Sequence, residues 1–209
     1  MARYLDSKCR LCRREGTKLF LKGTRCGSPK CALAKRAIPP GMHTRPSGKA
    51  SYYALQLREK QKAKRLYGML ERQFRRFFSV ASKAKGATGT KLMELLERRL
   101  DNTLFKSLMA LSRNQARQYT LHGFTFVNGK RVNIPSYLVK ESDCVEIKAP
   151  EKIRKAMKLS IEAAAKERSV PAWIEADHDN LKYKIARMPA KSDMAVAINE
   201  QLIIELYSK

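Results

Sequence analysis

Acidic residues are scarce in this 209-residue chain, and so are several features that mark other classes of protein. There are 19 Asp and Glu against 44 Lys and Arg, so the net charge is +25. No apolar run approaches the ~18 residues needed to span a bilayer, and the start of the chain, MARYLDSKCR, has no apolar segment typical of a secretory signal. We therefore expect a cytoplasmic protein without a membrane partner, whose excess charge suits a polyanion such as nucleic acid.

Motifs of common enzymes are also missing. There is no glycine-rich phosphate loop, no zinc-protease motif and no serine-hydrolase motif. The three histidines, His43, His122 and His178, are far apart in sequence and have no obvious nucleophile partner. The acidic run at 175–179 is typical of a hydrated surface. The sequence therefore predicts a protein that binds without catalysis, with no catalytic residues and no small-molecule substrate.

Four cysteines form a paired array, C-x2-C-x13-C-x4-C, made by Cys9, Cys12, Cys26 and Cys31. In a reducing compartment such an array indicates metal binding or free thiols instead of disulfides. Two close pairs suit a tetrahedral site for one Zn²⁺, and four thiolates leave no open position, so the metal would be structural. It would also help a short polar segment to fold. An iron–sulfur cluster stays open as an alternative, although the spacing matches neither common ferredoxin pattern.

Basic helical sequence follows a linker rich in proline and glycine (38–49). Between Leu66 and Ala81 apolar residues recur every three or four positions, which predicts one buried helical stripe. Cations dominate the remaining positions, with few acids to compensate them, and this favours a face for nucleic-acid phosphates. The glycine-rich segment 83–91, KAKGATGTK, then predicts a break between domains.

The stretch at 112–132, SRNQARQYTLHGFTFVNGKRV, predicts a helix followed by a hairpin. Ser112 and Gln115 have the spacing at which two side chains bind the free amides of a helix start, and Gly123 suits a helix end. A strand at 124–127 leads into Asn128-Gly129, a strong hairpin-turn signal. One side of the helix is apolar, and we expect its cations and amides to form an opposite side that holds phosphates and nucleotide edges.

The remaining sequence predicts an α+β protein. Short strands are expected at 132–134 and 143–148, an amphipathic helix at 151–168, and a strand or extended arm in the tail, where apolar residues alternate. The predicted segments are a zinc-binding arm and linker (1–50), a basic helical lobe (51–90), a small mixed RNA-binding lobe with short antiparallel strands (91–192, core 98–148) and a C-terminal tail that packs on the body (193–209).

Four separated segments resemble the bacterial-type small-subunit ribosomal protein S four family. They are MARYLDSKCRLCRREGTKLFLKG, LQLREKQKAKRLYGMLERQFRRF, RLDNTLFKSLMALSRNQARQYTLHGFTFVNGKRVNIPSYLV and INEQLIIELYSK. The third resembles a small helix–loop–strand RNA-binding domain that also occurs in tyrosyl-tRNA synthetases and pseudouridine synthases. The four paired cysteines stand where the zinc-bearing members of the family keep their ligands.

The resemblance implies a structural constituent of the small ribosomal subunit. Members of the family bind ribosomal RNA early in assembly at a multi-helix junction, contact neighbouring ribosomal proteins, and lie near the path along which messenger RNA enters. Some also repress their own messenger RNA. An RNA-modifying enzyme with the same small domain and a zinc-dependent nucleic-acid-binding regulator are the alternatives.

The predicted RNA-binding residues come from two sources. Those implied by the resemblance are Arg99, Ser112, Arg113, Gln115, Arg117, Gln118, His122, Asn128, Gly129, Lys130 and Arg131. Those added from the charge pattern are Arg3, Arg10, Arg13, Arg14, Lys22, Arg36, Arg45, Lys49, Tyr53, Gln56, Arg58, Lys60, Arg65, Arg72, Arg76 and Lys83.

Overall fold

A computed structural model of the chain describes residues 3–42, 49–193 and 198–208. The chain divides into two compact units, unit 1 at 1–93 with 194–209, and unit 2 at 94–193. Unit 1 thus combines the arm, the basic helical segment and the tail, which the sequence presented as separate segments. Within the described ranges, the helices are too short or too polar to cross a membrane.

Helices and antiparallel strands are both present, which confirms the α+β class. The helices are α1 (Lys8–Glu15), α2 (Ala32–Lys35), α3 (Tyr52–Leu66), α4 (Glu71–Lys83), α5 (Thr88–Glu97), α6 (Leu100–Lys106), α7 (Arg113–Leu121), α8 (Glu151–Ala165) and α9 (Glu200–Tyr207). The strands are β1 (Thr125–Val127), β2 (Lys130–Arg131), β3 (Cys144–Ile147), β4 (Ile174–Asp177) and β5 (Lys182–Ile185).

The arm, residues 3–36, has little apolar material of its own. Its buried apolar side chains, in the described part, are three leucines at 11, 19 and 21 together with three cysteines. Gly16 ends α1 in the left-handed conformation, with φ of 66°, which a residue without a Cβ adopts at little cost. Glu15, the last residue of α1, has a side chain only 1% exposed and pairs with Arg58 and Arg65 of α3. This buried acid attaches the arm to the helical part of unit 1.

The predicted apolar stripe from Leu66 to Ala81 belongs to two helices and not to one. Ser51 caps α3, since its hydroxyl accepts from the Ala54 amide at 3.2 Å. After Leu66 the chain turns at Gly68, where φ is 62°, and α4 begins three residues later. At this turn Leu70, which continues the period in sequence, is 38% exposed, while Tyr67 and Met69 are buried in its place.

The C-terminal tail is helical, so the prediction of a strand or extended arm was wrong for residues 200–207. The Asn199 side chain accepts from the Gln201 amide at 3.1 Å and caps α9, while Ile203 is fully buried. Glu205 accepts hydrogen bonds from Tyr52 and Gln56, which ties α9 to α3. The alternating residues at 194–197 lie outside the described part of the chain.

Unit 2 is built on a five-stranded antiparallel sheet with strand order β2-β1-β3-β5-β4. Alternate residues face the core, so that Val145 and Ile147 of β3 and Tyr183 and Ile185 of β5 are buried. Trp173, 0% exposed, lies in the same apolar cluster as these residues. The other face of the sheet carries mostly polar residues of the strands, together with Phe126 of β1.

The helix and hairpin predicted at 112–131 are confirmed. The Ser112 hydroxyl accepts from the Gln115 amide at 3.3 Å, and the Gln115 side chain accepts from the Leu111 amide at 2.8 Å. Gly123 follows the helix with φ of 73°, and Asn128 and Gly129 have φ of 48° and 78°, as the tight hairpin turn requires. The sequence signals are accurate here because each depends on contacts within four residues.

Two other expectations need correction. Residues 132–134 are not a strand, because β2 ends at Arg131. The hairpin of β4 and β5 was not predicted, although the acidic residues of its first half are exposed, as expected of a hydrated surface. Leu181 with φ of 53° closes its turn. The helix predicted at 151–168 is present as α8, which ends three residues earlier.

Candidate nucleic-acid interface

The four paired cysteines are brought together at the base of the arm as free thiols. Cys9 and Cys12 lie on α1, Cys26 ends a short 3-10 turn, and Cys31 precedes α2. Burial raises the pKa of the Cys12 thiol, and its proximity to the thiols of the other three raises it further. The thiols are therefore close enough to influence one another electrostatically.

Backbone amides surround these sulfurs. The Lys22 amide donates to Cys26 Sγ at 3.4 Å, and the amides of Leu33 and Ala34 at the start of α2 favour the thiolate form of Cys31 and act to lower its pKa. Although burial alone would raise the pKa of Cys31, these amides and nearby cations lower it. Within the described ranges no three His, Cys, Asp or Glu side chains stand as they would around a metal ion. Thiolates are suitable ligands for zinc. In the described residues, however, the four thiols do not already have the arrangement of a metal site.

Cations of the arm have two different surroundings. Arg13 donates to the carbonyls of Ile38 and Pro39, and Arg14 to the carbonyl of Pro40, so both fasten the start of the linker to α1. The other predicted residues of this region that are described lie exposed on the surface; they are Arg3, Arg10, Lys22, Arg36 and Lys49. Arg45, together with His43, lies outside the described residues.

On α3 and α4 the predicted cations separate into paired and exposed groups. Lys60 and Lys64 both bind Glu71, at 2.9 and 3.0 Å, and Arg58 and Arg65 bind Glu15. Exposed side chains are presented by Tyr53, Arg72, Arg76 and Lys83. Gln56 is fully buried and donates to Glu205 at 3.0 Å, so its side chain positions α9 from inside unit 1.

The arginines on and before α7 point into unit 2, contrary to the expected cationic outer side of that helix. Arg99, 0% exposed, makes two bonds to Asp101, at 3.0 and 2.6 Å. Arg117 reaches the same carboxylate at 3.4 Å, and Arg113 donates to Asn102 at 2.8 Å. Their spacing in sequence gave no sign of this, because it depends on the two acceptors that α6 places beneath α7.

The exposed edge of the same region is formed by amides, an imidazole and the hairpin. Gln118 and His122 are exposed on α7 and at its end, and Gln115 donates to the Tyr119 hydroxyl at 2.7 Å. The side chain of Asn128 donates to Asp143 at 2.8 Å and accepts from the Cys144 amide at 2.9 Å, which fixes the hairpin on β3. Gly129 and Lys130 extend beyond it into solvent, as does the partly exposed Ser112 on the other side.

Arg131 is held at the end of α7. Its guanidinium donates to the carbonyls of Gly123 and His122, at 2.9 and 3.2 Å. A Cβ at position 123 would overlap that guanidinium, so the glycine is required both for its conformation and for this contact. The side chain therefore joins β2 to the helix end and leaves its outer edge accessible.

Several functional candidates were missed by sequence reasoning. Arg168 packs on the Phe105 ring with its Cζ 4.0 Å from the ring centroid, and Arg113 packs on the same ring at 4.4 Å. Burial, and then the nearby Arg113, lower the pKa of Arg168 to about 10. The sequence around Lys182 and Lys184 is rich in cations that would add affinity for RNA, but the strand β5 that places both on the outer face of the sheet was missed. The alternation of cationic and apolar residues in KYKI was an available signal.

Comparison with known protein families gives two matches. The family described as "Ribosomal protein S4/S9 N-terminal domain" matches residues 3–97, and the "S4 domain" matches residues 98–145. The second match ends within β3, so α8 and the hairpin of β4 and β5 lie beyond it.

Individual relatives match the whole chain. It is 53% identical over 209 residues to the small ribosomal subunit protein uS4 of Dictyoglomus turgidum. It is 52% identical over 209 residues to the protein of that name from Thermodesulfovibrio yellowstonii, and 52% identical over 213 residues to that of Nitratidesulfovibrio vulgaris. Each alignment covers 100% of both chains.

Proposed function

The chain belongs to the family of small ribosomal subunit protein uS4, and we propose that it is a structural protein of the small ribosomal subunit in the cytoplasm, where it binds ribosomal RNA. The observation that carries this proposal is the similarity over the full length of both chains, at 52% and 53% identity. The family is one of ribosomal proteins and not of enzymes, which confirms the expectation of binding without catalysis.

RNA binding is supported by the way in which the charge is presented. The chain carries +25, and exposed cations occur in the arm, on α4, and at the first hairpin of unit 2. Such groups neutralise phosphates and release counterions. Helical RNA is recognised mainly through its shape and its unstacked nucleotides, which suits dispersed cations with amides and aromatic rings between them.

Among the predicted contact residues, we assign direct contact to the exposed ones. Gln56 and Arg99 are interior side chains with partners inside the protein, so they would act by holding α9 and α6 in place. Arg113 and Arg117, which are almost fully buried, would support α7 beneath the exposed Gln118 and His122.

We also propose one structural Zn²⁺ per chain, held by Cys9, Cys12, Cys26 and Cys31. Four free thiols near one another and an amide donor to Cys26 support it. An arm with few buried apolar residues would gain folding free energy from such an ion. Elemental analysis of the purified protein should find one zinc per chain. Iron in its place, or no metal, would contradict the proposal.

The finer part of the proposal concerns the RNA site. We propose that the chain stabilises a multi-helix junction of ribosomal RNA during assembly, beside neighbouring ribosomal proteins and near the path along which messenger RNA enters. Repression of its own messenger RNA would be a further role of the same surfaces. Exposed cations on both units support contact with more than one RNA strand, and a protein that binds one RNA conformer best shifts the population toward it.

Chemical footprinting of small-subunit RNA with and without the protein tests this function. Protected nucleotides should cluster at one junction, and affinity should fall by roughly 10³–10⁵ between 50 and 200 mM salt if about 6–10 phosphates are contacted. Shallow salt dependence or scattered protection would contradict it. Co-purification with DNA in place of ribosomal subunits would favour the alternative of a nucleic-acid-binding regulator.

A further inference from the structure

A cavity of about 550 Å³ opens on the outer face of the sheet in unit 2, next to the end of α7. We call it the outer-sheet cavity and define it by Phe124, Phe126, Arg131, Glu146, Lys148 and Arg154, which are among its lining residues. Its volume lies in the range of roughly 300–1,000 Å³ that is usual for ligand pockets. The predicted RNA contacts His122 and Arg131 also border it, but its other walls were not identified from the sequence.

Aromatic rings form part of these walls. Phe126 faces outward from β1, because its neighbours Thr125 and Val127 are directed into the core. The rings of His122 and Phe124 stack with centroids 5.7 Å apart and planes 15° apart. Rings of this kind bind nucleobases by stacking, with little dependence on which base is present.

Cations outnumber acids around the rings. Lys148 Nζ lies 4.9 Å from the centroid of the Phe126 ring and 3.3 Å from Glu146. Glu146, the acidic residue of the lining, is also bound by Lys182 at 3.0 Å. The side chain of Arg154, exposed on α8, makes no hydrogen bond or ion pair with any part of the chain that is described. Arg131 and Arg154 therefore add positive charge that Glu146 does not balance.

We propose that the outer-sheet cavity receives one unstacked nucleotide of the RNA, with its base against Phe126 and its phosphate at Lys148 and Arg154. This inference rests on the proposed function, since ribosomal RNA is the polyanion that would supply the nucleotide. An acidic segment of a neighbouring protein would satisfy the cations but would make no use of the aromatic walls. The combination of π-faces and cations favours the nucleotide.

Three single variants of the full-length protein separate the base contact, the phosphate contact and general charge. Phe126→Leu keeps an apolar side chain on β1 but removes the ring. Lys148→Met keeps the side-chain length and removes one charge at the cavity. Lys158→Met removes one charge from the exposed side of α8, outside the cavity lining, and is the matched control for Lys148→Met.

Each variant is bound to small-subunit RNA, and the complexes are cross-linked at 254 nm and analysed by peptide mass spectrometry. In the wild type we expect a cross-link between the peptide containing Phe126 and one unpaired nucleotide. Phe126→Leu should lose that cross-link and bind roughly 5- to 150-fold more weakly, the range that one base–aromatic stack provides. Lys148→Met should weaken binding more than Lys158→Met.

Trp173 fluorescence during urea unfolding shows whether unit 2 remains folded in each variant. If Phe126→Leu does not fold, the comparison of Lys148→Met with Lys158→Met still tests the inference.

The outcomes distinguish this inference from the function beneath it. If the wild type footprints ribosomal RNA but shows no cross-link at the cavity, and both cavity variants bind like Lys158→Met, the inference is overturned and the proposed function stands. If a lysine-reactive reagent joins Lys148 to an acidic protein segment in assembled subunits, a protein occupies the cavity and the inference is likewise overturned. If the wild type does not bind ribosomal RNA, the function fails and the inference fails with it.

Discussion

The arm and unit 2 are both cationic, but they are held together by different means. In the described part of the arm, the buried apolar side chains are three leucines and three cysteines. Unit 2 has a continuous apolar cluster that includes Trp173, Met157 and Tyr183, and it buries arginines against Asp101 and Asn102 within the same fold. A region with a large core can bury charged side chains, because their desolvation is offset by partners that the core fixes in place.

The difference also affects how each region can present charge to RNA. The arm keeps most of its described cations exposed, and Glu15 joins it to α3. Unit 2 turns several cations inward and exposes others at the hairpin and around the outer-sheet cavity. Substitutions that act on only one of these two arrangements therefore test each arrangement separately.

Substituting one of the four paired cysteines is expected to have the largest effect on the stability of either region. Cys12→Ser should release zinc and disorder the arm, because structural zinc contributes roughly 10–16 kcal/mol to small zinc-dependent folds. Hydrogen exchange of the α1 amides measures the order of the arm. The fluorescence of Trp173 measures the folding of unit 2, because it is the one tryptophan of the chain and a core residue of that unit. Cys144→Ser changes an exposed thiol in unit 2 and should alter neither. Unchanged protection of α1 in Cys12→Ser would contradict the proposed dependence on metal.

The next largest effect should come from Asp101→Asn in unit 2. It removes the carboxylate that lies 2.6 Å from Arg99 and 3.4 Å from Arg117, so two buried cations lose a charged partner, which should cost about 3–5 kcal/mol. Urea unfolding followed by Trp173 fluorescence gives the free energy of unfolding. Asp179→Asn, at an exposed position, is the control. Equal midpoints for the two variants would show that the buried network contributes no net stability.

A smaller effect is expected where the arm meets α3. Glu15→Gln keeps the shape of the buried side chain but removes the charge that binds Arg58 and Arg65, at a cost of about 1–3 kcal/mol. Exchange at α1 and α3 should accelerate while the unfolding of unit 2 is unchanged. Glu151→Gln breaks an exposed pair with Lys155 and is the matched control. If exchange at α1 is the same in both variants, Glu15 does not anchor the arm.

The smallest effect is a pH dependence in unit 1. Burial alone would raise the pKa of Glu71, but hydrogen bonds from Lys60, Lys64 and Tyr207 lower it to about 2 from an ordinary value of 4.5. Because the folded-state pKa is the lower one, the stabilisation is complete above pH 4.5 and is lost as the pH falls toward 2. The side chain is 44% exposed, so solvent screening limits the contribution to about 1 kcal/mol or less.

Thermal unfolding of the wild type and Glu71→Gln by circular dichroism measures this contribution. The difference in midpoint should be largest near neutral pH and should disappear near pH 2. Glu151→Gln again serves as the control, since Glu151 is exposed. A difference that persists unchanged at pH 2 would show that the carboxylate charge is not its cause.

Local elements were predicted well from the sequence, and elements that depend on distant partners were not. The start of α7 at Ser112, its end at Gly123 and the turn at Asn128 were all correct, because caps and turns involve residues within one helical turn. The prediction for the tail was wrong because α9 is stabilised through Glu205 by contacts with α3, about 150 positions earlier in the chain. The missed hairpin of β4 and β5 likewise depends on pairing with β3.

The candidate site likewise has parts that the sequence predicted and parts that it could not. Spacing alone grouped the four cysteines, and composition alone indicated a polyanionic partner. Neither could tell that Gln56 and Arg99 are interior residues, because Gln56 is buried against Glu205 of α9 and Arg99 is enclosed by the packed core of unit 2 around its Asp101 partner. The outer-sheet cavity could not be anticipated either, since Phe126 and Lys148 belong to different strands and segments that meet only in the folded sheet.

The sequence by itself determined the sign of the charge, the paired spacing of four cysteines, the caps and turns, and membership of the family. These features depend on composition, on short-range contacts, or on the order of motifs along the chain. The tertiary structure decided which cations reach solvent, since Asp101 and Asn102 draw arginines inward while the hairpin and α8 leave Lys130 and Arg154 outside. The physical reason is that burying a charge is costly unless a partner is fixed beside it, and in unit 2 that partner is supplied by a neighbouring helix.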